Sequence, residues 1–176
     1  VRAGRDEPRP AGRVVRAVKF KPVPPAPDEF GFVERAQRAV PLVPDTEADC
    51  CARLVDRLDL PSRDSARTWL TFLRALELAT ETPSGFRRTD RTPTVERCRQ
   101  SFLDRVFAAE AVHDALADGP LTVDDAFERV RETVPTWERH TDTEWEDAWR
   151  DRVATLLDWL VLLDAAECAD GRFRVG

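Results

Sequence analysis

The sequence predicts a mainly α fold built twice over, each half closing on a small β hairpin. Three observations point there. Thr68-Trp69-Leu70-Thr71-Phe72-Leu73-Arg74-Ala75-Leu76, followed by Gly85-Phe86-Arg87-Arg88, matches Thr155-Leu156-Leu157-Asp158-Trp159-Leu160-Val161-Leu162-Leu163, followed by Gly171-Arg172-Phe173-Arg174-Val175. The helical segments and the two phenylalanines keep an offset of 87 residues, about half of the 176. Both matches read as an apolar helix, a Gly-containing turn and an aromatic-basic strand.

Residues 1–29 read as a basic, Pro-rich arm. Residues 1–22 hold Arg2, Arg5, Arg9, Arg13, Arg16, Lys19 and Lys21 against Asp6 and Glu7, a net +5, which leaves −11 of the total −6 on residues 23–176. Arg13–Phe20 alternates well enough for one short strand, and Pro22, Pro24, Pro25 and Pro27 make a stiff extended connector. Three roles stand open: a flexible tail, an arm that contacts nucleic acid, and a strand added to the body.

Residues 30–92 form the first repeat. Phe30–Val40 is a short helix stopped by Pro41 and Pro44. Asp45 or Thr46 caps a second through Leu58, with Cys50, Cys51, Leu54, Val55 and Leu58 at helical spacing. Helix neighbours point about 100° apart, so only one of Cys50 and Cys51 is expected to be buried, unbridged, in the core. Ser62 caps a third helix running to about Ala79, with Ala66, Trp69, Leu70, Leu73 and Leu76 as its buried stripe. Thr80–Arg88 is the hairpin, turned at Pro83-Ser84-Gly85.

Residues 93–176 repeat that order. Thr94–Ala117 reads as one long helix stopped by Asp118-Gly119-Pro120, in which Phe102-Leu103-Asp104-Arg105 echoes Phe32-Val33-Glu34-Arg35. Thr122 caps the next helix, to about Thr133, and Pro135–Asp142 has no counterpart in the first half. Thr143-Glu144-Trp145-Glu146 has the form of a capping box opening the last helix. That helix turns Trp149, Val153, Leu156, Leu157, Leu160 and Leu163 inward and reaches a hairpin, Ala165–Val175, turned at Asp170-Gly171. Phe86 and Phe173 are expected in the second strand of each hairpin, packed on their own third helix.

Composition narrows the function classes. With 42% hydrophobic residues each half can build a compact core. The 25 Arg against two Lys, the absence of Met and Tyr and the acidic body resemble proteins of GC-rich halophilic archaea, which implies a salty cytoplasm. Val1 in a chain without Met fits a GUG start copied as Val. No apolar run approaches the roughly 20 residues that span a bilayer, and no signal-peptide core is present. A cytoplasmic protein without membrane contact is expected. Cys50, Cys51, Cys98 and Cys168 lack any CxxC spacing and lie far from His113 and His140, so no metal is expected and the thiols read as reduced packing residues. GxGxxG, P-loop, HExxH and GxSxG motifs are absent, so neither a cofactor nor enzyme activity is expected.

Helix, helix, turn, helix and hairpin over residues 30–91 and 100–175 resemble the winged helix-turn-helix superfamily, twice in tandem. The resemblance implies a fold of two tandem winged helix-turn-helix domains with small β wings. It implies that the third helix enters the DNA major groove and the wing touches phosphate or minor groove. The superfamily also supplies protein-docking modules, so fold alone does not choose.

The two third helices differ in chemistry. Arg63, Arg67, Thr71 and Arg74 fall within an arc of about 80° away from the apolar stripe. Arg87, Arg88 and Arg91 follow in the wing, and guanidinium forks suit phosphate oxygens or a guanine edge. These seven residues are the candidate contacts to double-stranded DNA. The competing reading is a solvated face whose arginines pair with Asp64, Glu77 and Asp90. A continuous positive face favours DNA, and one neutralised by carboxylates favours a non-catalytic protein-interaction module. Glu144, Glu146, Asp147, Asp151, Asp158 and Asp164 make the last helix a poor reader of phosphate. Its half offers Trp137, Trp145 and Trp149 instead, either as core or as the surface of a homodimer or protein partner. The expected function is a DNA-associated transcriptional regulator whose first domain contacts DNA and whose second dimerises or binds a protein.

Overall fold

Thr46 and Ser62 start their helices as their side chains dictate. In the computed structural model, which describes residues 19–176, α1 spans Gly31–Ala39, α2 Glu47–Leu58 and α3 Arg63–Ala75. The Thr46 hydroxyl accepts the Asp49 N–H and the Ser62 hydroxyl accepts the Ser65 N–H, both at 3.1 Å, satisfying amides that a helix start leaves bare. β1 (Ala79–Thr82) and β2 (Gly85–Arg88) form the first wing. The second half follows as α4 (Val95–Arg105), α5 (Ala109–Ala115), α6 (Val123–Val130), α7 (Thr136–Thr141) and α8 (Trp145–Leu162), then β3 (Ala166–Ala169) paired antiparallel with β4 (Arg172–Val175). Of the strand expected over Arg13–Phe20, all but the last two residues lie outside the described residues.

Each half carries the same hydrogen-bonded frame. The residue before the second-helix cap adds a one-residue third strand to the wing, Asp45 opposite Phe86 and Leu121 opposite Phe173. Both pairs exchange two backbone bonds of 2.8 to 3.0 Å. Phe86 and Phe173 lie in the second strand of their wings as expected, Phe173 buried and Phe86 half-buried. The frame also sets the true alignment. Asp45 to Leu121 is an offset of 76, so α1 corresponds to α5, and the extra residues up to the later offset of 87 form α7 and the turn before it.

Five local expectations change. The third helix ends at Ala75, not near Ala79, because Glu77 turns left-handed (φ 61°), with Glu77 N–H on Arg74 O (3.0 Å) and Leu78 N–H on Leu73 O (2.8 Å). That is a Schellman stop made without glycine, and Asp164 (φ 53°) repeats it after α8. The long helix over Thr94–Ala117 is two helices, broken at Val106 and at Ala108 (φ 69°), where Phe20 bonds to Arg105 and Phe107. The echo of Phe32 in Phe102 therefore joins unlike elements, since α4 has no partner in the first half. The capping box at Thr143 is absent. Asp142 accepts the Glu144 N–H at 2.9 Å, and Glu146 is drawn instead to Arg131. Thr122 and Asp125 form the capping box, at α6. Finally, Cys50 and Cys51 are both buried, because α1, α3 and β2 all pack on α2 and cover more than one stripe. Both are free thiols.

One hydrophobic cluster spans both halves. At its centre lies Trp159 of α8, fully buried, its ring 4.5 Å from Phe72, 5.9 Å from Trp69 and 6.3 Å from Phe102. Its indole N–H donates to Pro24 O at 2.7 Å. The third helix of each half thus buries one face in its own domain and a second against the other's third helix. Glu77 ties the seam at its edge, accepting from Ser101 Oγ (2.6 Å), Arg91 and Arg105 (3.3 Å). Ser101 leads, with the two arginines behind it, in holding that carboxyl below the usual carboxylate range.

Candidate nucleic-acid and partner surfaces

The α3 arc keeps its geometry and loses much of its free charge. Arg67 is 58% exposed but pairs with Glu47 (3.0 Å) and Asp64 (3.1 Å), and the Glu47 hydrogen bond raises its pKa further. Arg74 pairs with Glu81 (3.0 Å) and stacks between Phe20 and Phe86, 5.6 and 5.5 Å from their centroids. Thr71, between Arg67 and Arg74 along α3, is half-buried. Arg91 is held by Glu77. Of the three carboxylates considered as partners, Asp64 and Glu77 are used, and Asp90 makes no ion pair among the described residues.

A second group of arginines stays free. Arg38, Arg53, Arg57, Arg63, Arg87 and Arg88 have no carboxylate within ion-pair distance among the described residues. Two of them converge on the backbone of a third. Arg57 and Arg88 each aim a guanidinium N–H at the carbonyl of Arg38, at 3.5 and 3.3 Å, where the last turn of α1 leaves carbonyls unsatisfied. The negative end of a helix dipole steadies this like-charged pair. Arg88 N–H also bonds Pro41 O at 2.8 Å, which sets the exposed Leu42 and Val43 beside the pair. Arg87 lies on the opposite face of β2 and donates to Arg88 O. Sequence reading passed over Arg38 and Arg57. The signal was Arg53 and Arg57, four apart on the polar side of α2.

Beyond α4, the second half holds most of its arginines in ion pairs. Arg129 meets Asp118 (2.8 Å), Arg131 meets Glu128 and Glu146, and Arg139 meets Glu132 (3.5 Å). Arg150 meets Asp124 (3.2 Å) and Asp147 (3.1 Å), Arg172 meets Asp125 (3.8 Å), and Arg174 meets Glu167 (2.6 Å). The three candidate tryptophans of this half, Trp137, Trp145 and Trp149, take three environments. Trp149 is buried, with Phe107 at 5.8 Å and its N–H on Glu138 at 2.8 Å. Trp145 is half-buried, 6.1 Å from Phe127. Trp137, on α7, is 65% exposed.

Between Trp137 and Trp149 lies Lys21. Its ammonium is 5.3 and 6.0 Å from their ring centroids and pairs with Glu138. Burial pushes the Glu138 carboxyl up, but the hydrogen bonds from Lys21 and Trp149 outweigh it and leave Glu138 below the usual range. Arg152 donates to the carbonyls of Lys21 and Phe107, and burial pushes it down to about 10.

No group of His, Cys, Asp or Glu among the described residues is arranged to hold a metal ion, and no helix there is long and apolar enough to cross a membrane. Residues 18–175 match the family model described as the halobacterial double winged helix domain. No curated protein and no solved structure matches the chain.

Proposed function

The chain belongs to the halobacterial double winged helix family, and on that premise we propose that it is a DNA-associated transcriptional regulator without catalytic activity. Its first winged helix meets duplex DNA, and its second dimerises or binds a protein. The observation that carries this reading is the pair Arg57 and Arg88, both drawn to the Arg38 carbonyl, in a half where Arg38, Arg53, Arg63 and Arg87 also lack a carboxylate partner among the described residues. Guanidiniums gathered without counter-charge suit a row of phosphates, whose condensed ions are released on binding. In a salt-rich cell that electrostatic gain is small. Affinity there must come from base contacts, shape and apolar surface, and Leu42 and Val43 stand next to the pair to supply the last. Arg88→Glu is expected to weaken binding to every duplex sequence and to reduce the slope of log affinity against log salt by about one. An unchanged slope sinks the assignment of Arg88.

A second reading has its own support. Arg67, Arg74 and Arg91 are neutralised, and α3 is buried on two sides, which suits a protein-interaction module that never enters a groove. Absence of wild-type binding to random duplex in dilute KCl selects it.

A further inference from the structure

Residues 19–24 lie along the body as a bound peptide lies on its receptor. Phe20 N–H donates to Arg105 O at 2.7 Å, and Phe20 O accepts from Phe107 N–H at 2.8 Å, a single parallel bridge at the break between α4 and α5. Lys21 O accepts from Arg152, and Pro24 O accepts from Trp159. Three carbonyls of one extended segment are thus read by three donors of the body. The Lys21 side chain is read by two indole faces and a carboxylate, a pairing suited to an ammonium group. Main-chain bonds for affinity and a side-chain slot for specificity are the general means of recognising extended peptides.

Two further facts bear on what the slot does. Trp137 comes from α7, the element that the first half lacks, and its indole stays largely exposed even with Lys21 in place. A cavity of about 420 Å³ remains beside Lys21, walled by Trp137, Trp145, Thr141 and Asp142. Departure of the arm would strip the buried Trp159 N–H of its acceptor, and a buried donor left unmet incurs its full desolvation penalty. The seam therefore needs an occupant, and one arm leaves most readily as an equivalent one arrives.

We propose that the seam is a peptide-binding site for an extended segment of the form Phe-Lys-x-x-Pro, and that the arm of a second copy of this chain exchanges with residues 19–24 to tie a dimer. Short arms swapped between identical chains keep every contact and need only concentration to favour the pair. The proposal rests on the dimerising half of the function above and is independent of DNA binding.

The test mixes two full-length variants. Phe20→Ala/Lys21→Ala has a weak arm and an intact slot, and Trp137→Ala/Glu138→Gln has an intact arm and a damaged slot. Sedimentation is expected to show monomers for each alone and a complex of twice the mass in the mixture. Monomers throughout, with both variants folded by circular dichroism, overturn the proposal. A wild-type dimer that persists in both variants overturns the exchange while leaving a partner surface elsewhere. Amide exchange on the wild type covers the case of a variant that fails to fold. The Phe20 and Phe107 amides should exchange at least about tenfold faster than Leu73 in the core, and exchange of all three only with global unfolding overturns the proposal.

Discussion

The two winged helices share a backbone frame and almost nothing of their surfaces. Asp45 with Phe86 and Leu121 with Phe173 close the wings alike, and Glu77 and Asp164 stop the third helices alike. Around those fixed points the first half leaves six arginines without a carboxylate among the described residues, while the second leaves Arg97, Arg99 and Arg152 so and pairs Arg129, Arg131, Arg139, Arg150, Arg172 and Arg174 with carboxylates. The backbone bonds and the buried seam constrain the fold. The outward side chains are under no such constraint, so one half can keep cationic chemistry while the other takes an aromatic slot.

The largest test of the comparison is whether the halves are separable. Trp159→Ala removes the side chain on which Trp69, Phe72 and Phe102 converge. We expect a loss of about 3–5 kcal/mol in urea denaturation, in a single transition that takes both halves together. Two transitions would mean that the seam is a contact and not a core. The wings differ next. A Cβ on Gly85 (φ 124°) would lie 2.1 Å from Asp45 O, whereas one on Gly171 (φ 72°) meets nothing within 4 Å. Gly171→Ala should cost only its left-handed strain, about 1–2 kcal/mol, and Gly85→Ala distinctly more on the same denaturation curve. Equal costs would break the assignment of the Asp45 strand.

The smallest effect concerns Glu77. Its folded pKa is depressed, so its contribution is present above the unfolded value and is lost as pH falls through the folded one. The group is partly exposed, and Glu77→Gln should cost no more than about 1 kcal/mol at neutral pH. Between neutral pH and the acid end of the carboxylate range, wild-type stability should fall more steeply than that of the variant. Parallel pH profiles would show that Ser101, Arg91 and Arg105 do not hold the charge.

Much of this was legible in the sequence, and the misses have physical causes. Periodicity located the third helices and wings because Leu70, Leu73, Leu157 and Leu160 must face a core. Their ends ran long because Glu77 and Asp164 turn left-handed without the glycine that usually marks such a turn. The break at Val106–Ala108 carries neither Gly nor Pro, and only the distant Phe20 explains it. The single inward stripe of the last helix left Trp159 out. Between Leu156 and Leu163, however, Asp158 alone is polar, and apolar residues on almost every side of a helix signal burial on two faces. Ion pairs such as Arg74 with Glu81, and the place of Lys21 between Trp137 and Trp149, depend on contacts that no local spacing encodes.

The central functional claim is that DNA contact belongs to the first winged helix alone. Fluorescence-anisotropy titration of random duplex at several KCl concentrations tests it, with wild type, Arg57→Glu/Arg88→Glu and Arg129→Glu side by side. The account predicts a salt slope shallower by about two for the first-half pair and a wild-type slope for Arg129→Glu. Equal slopes for wild type and the first-half pair, or a loss confined to Arg129→Glu, would contradict it.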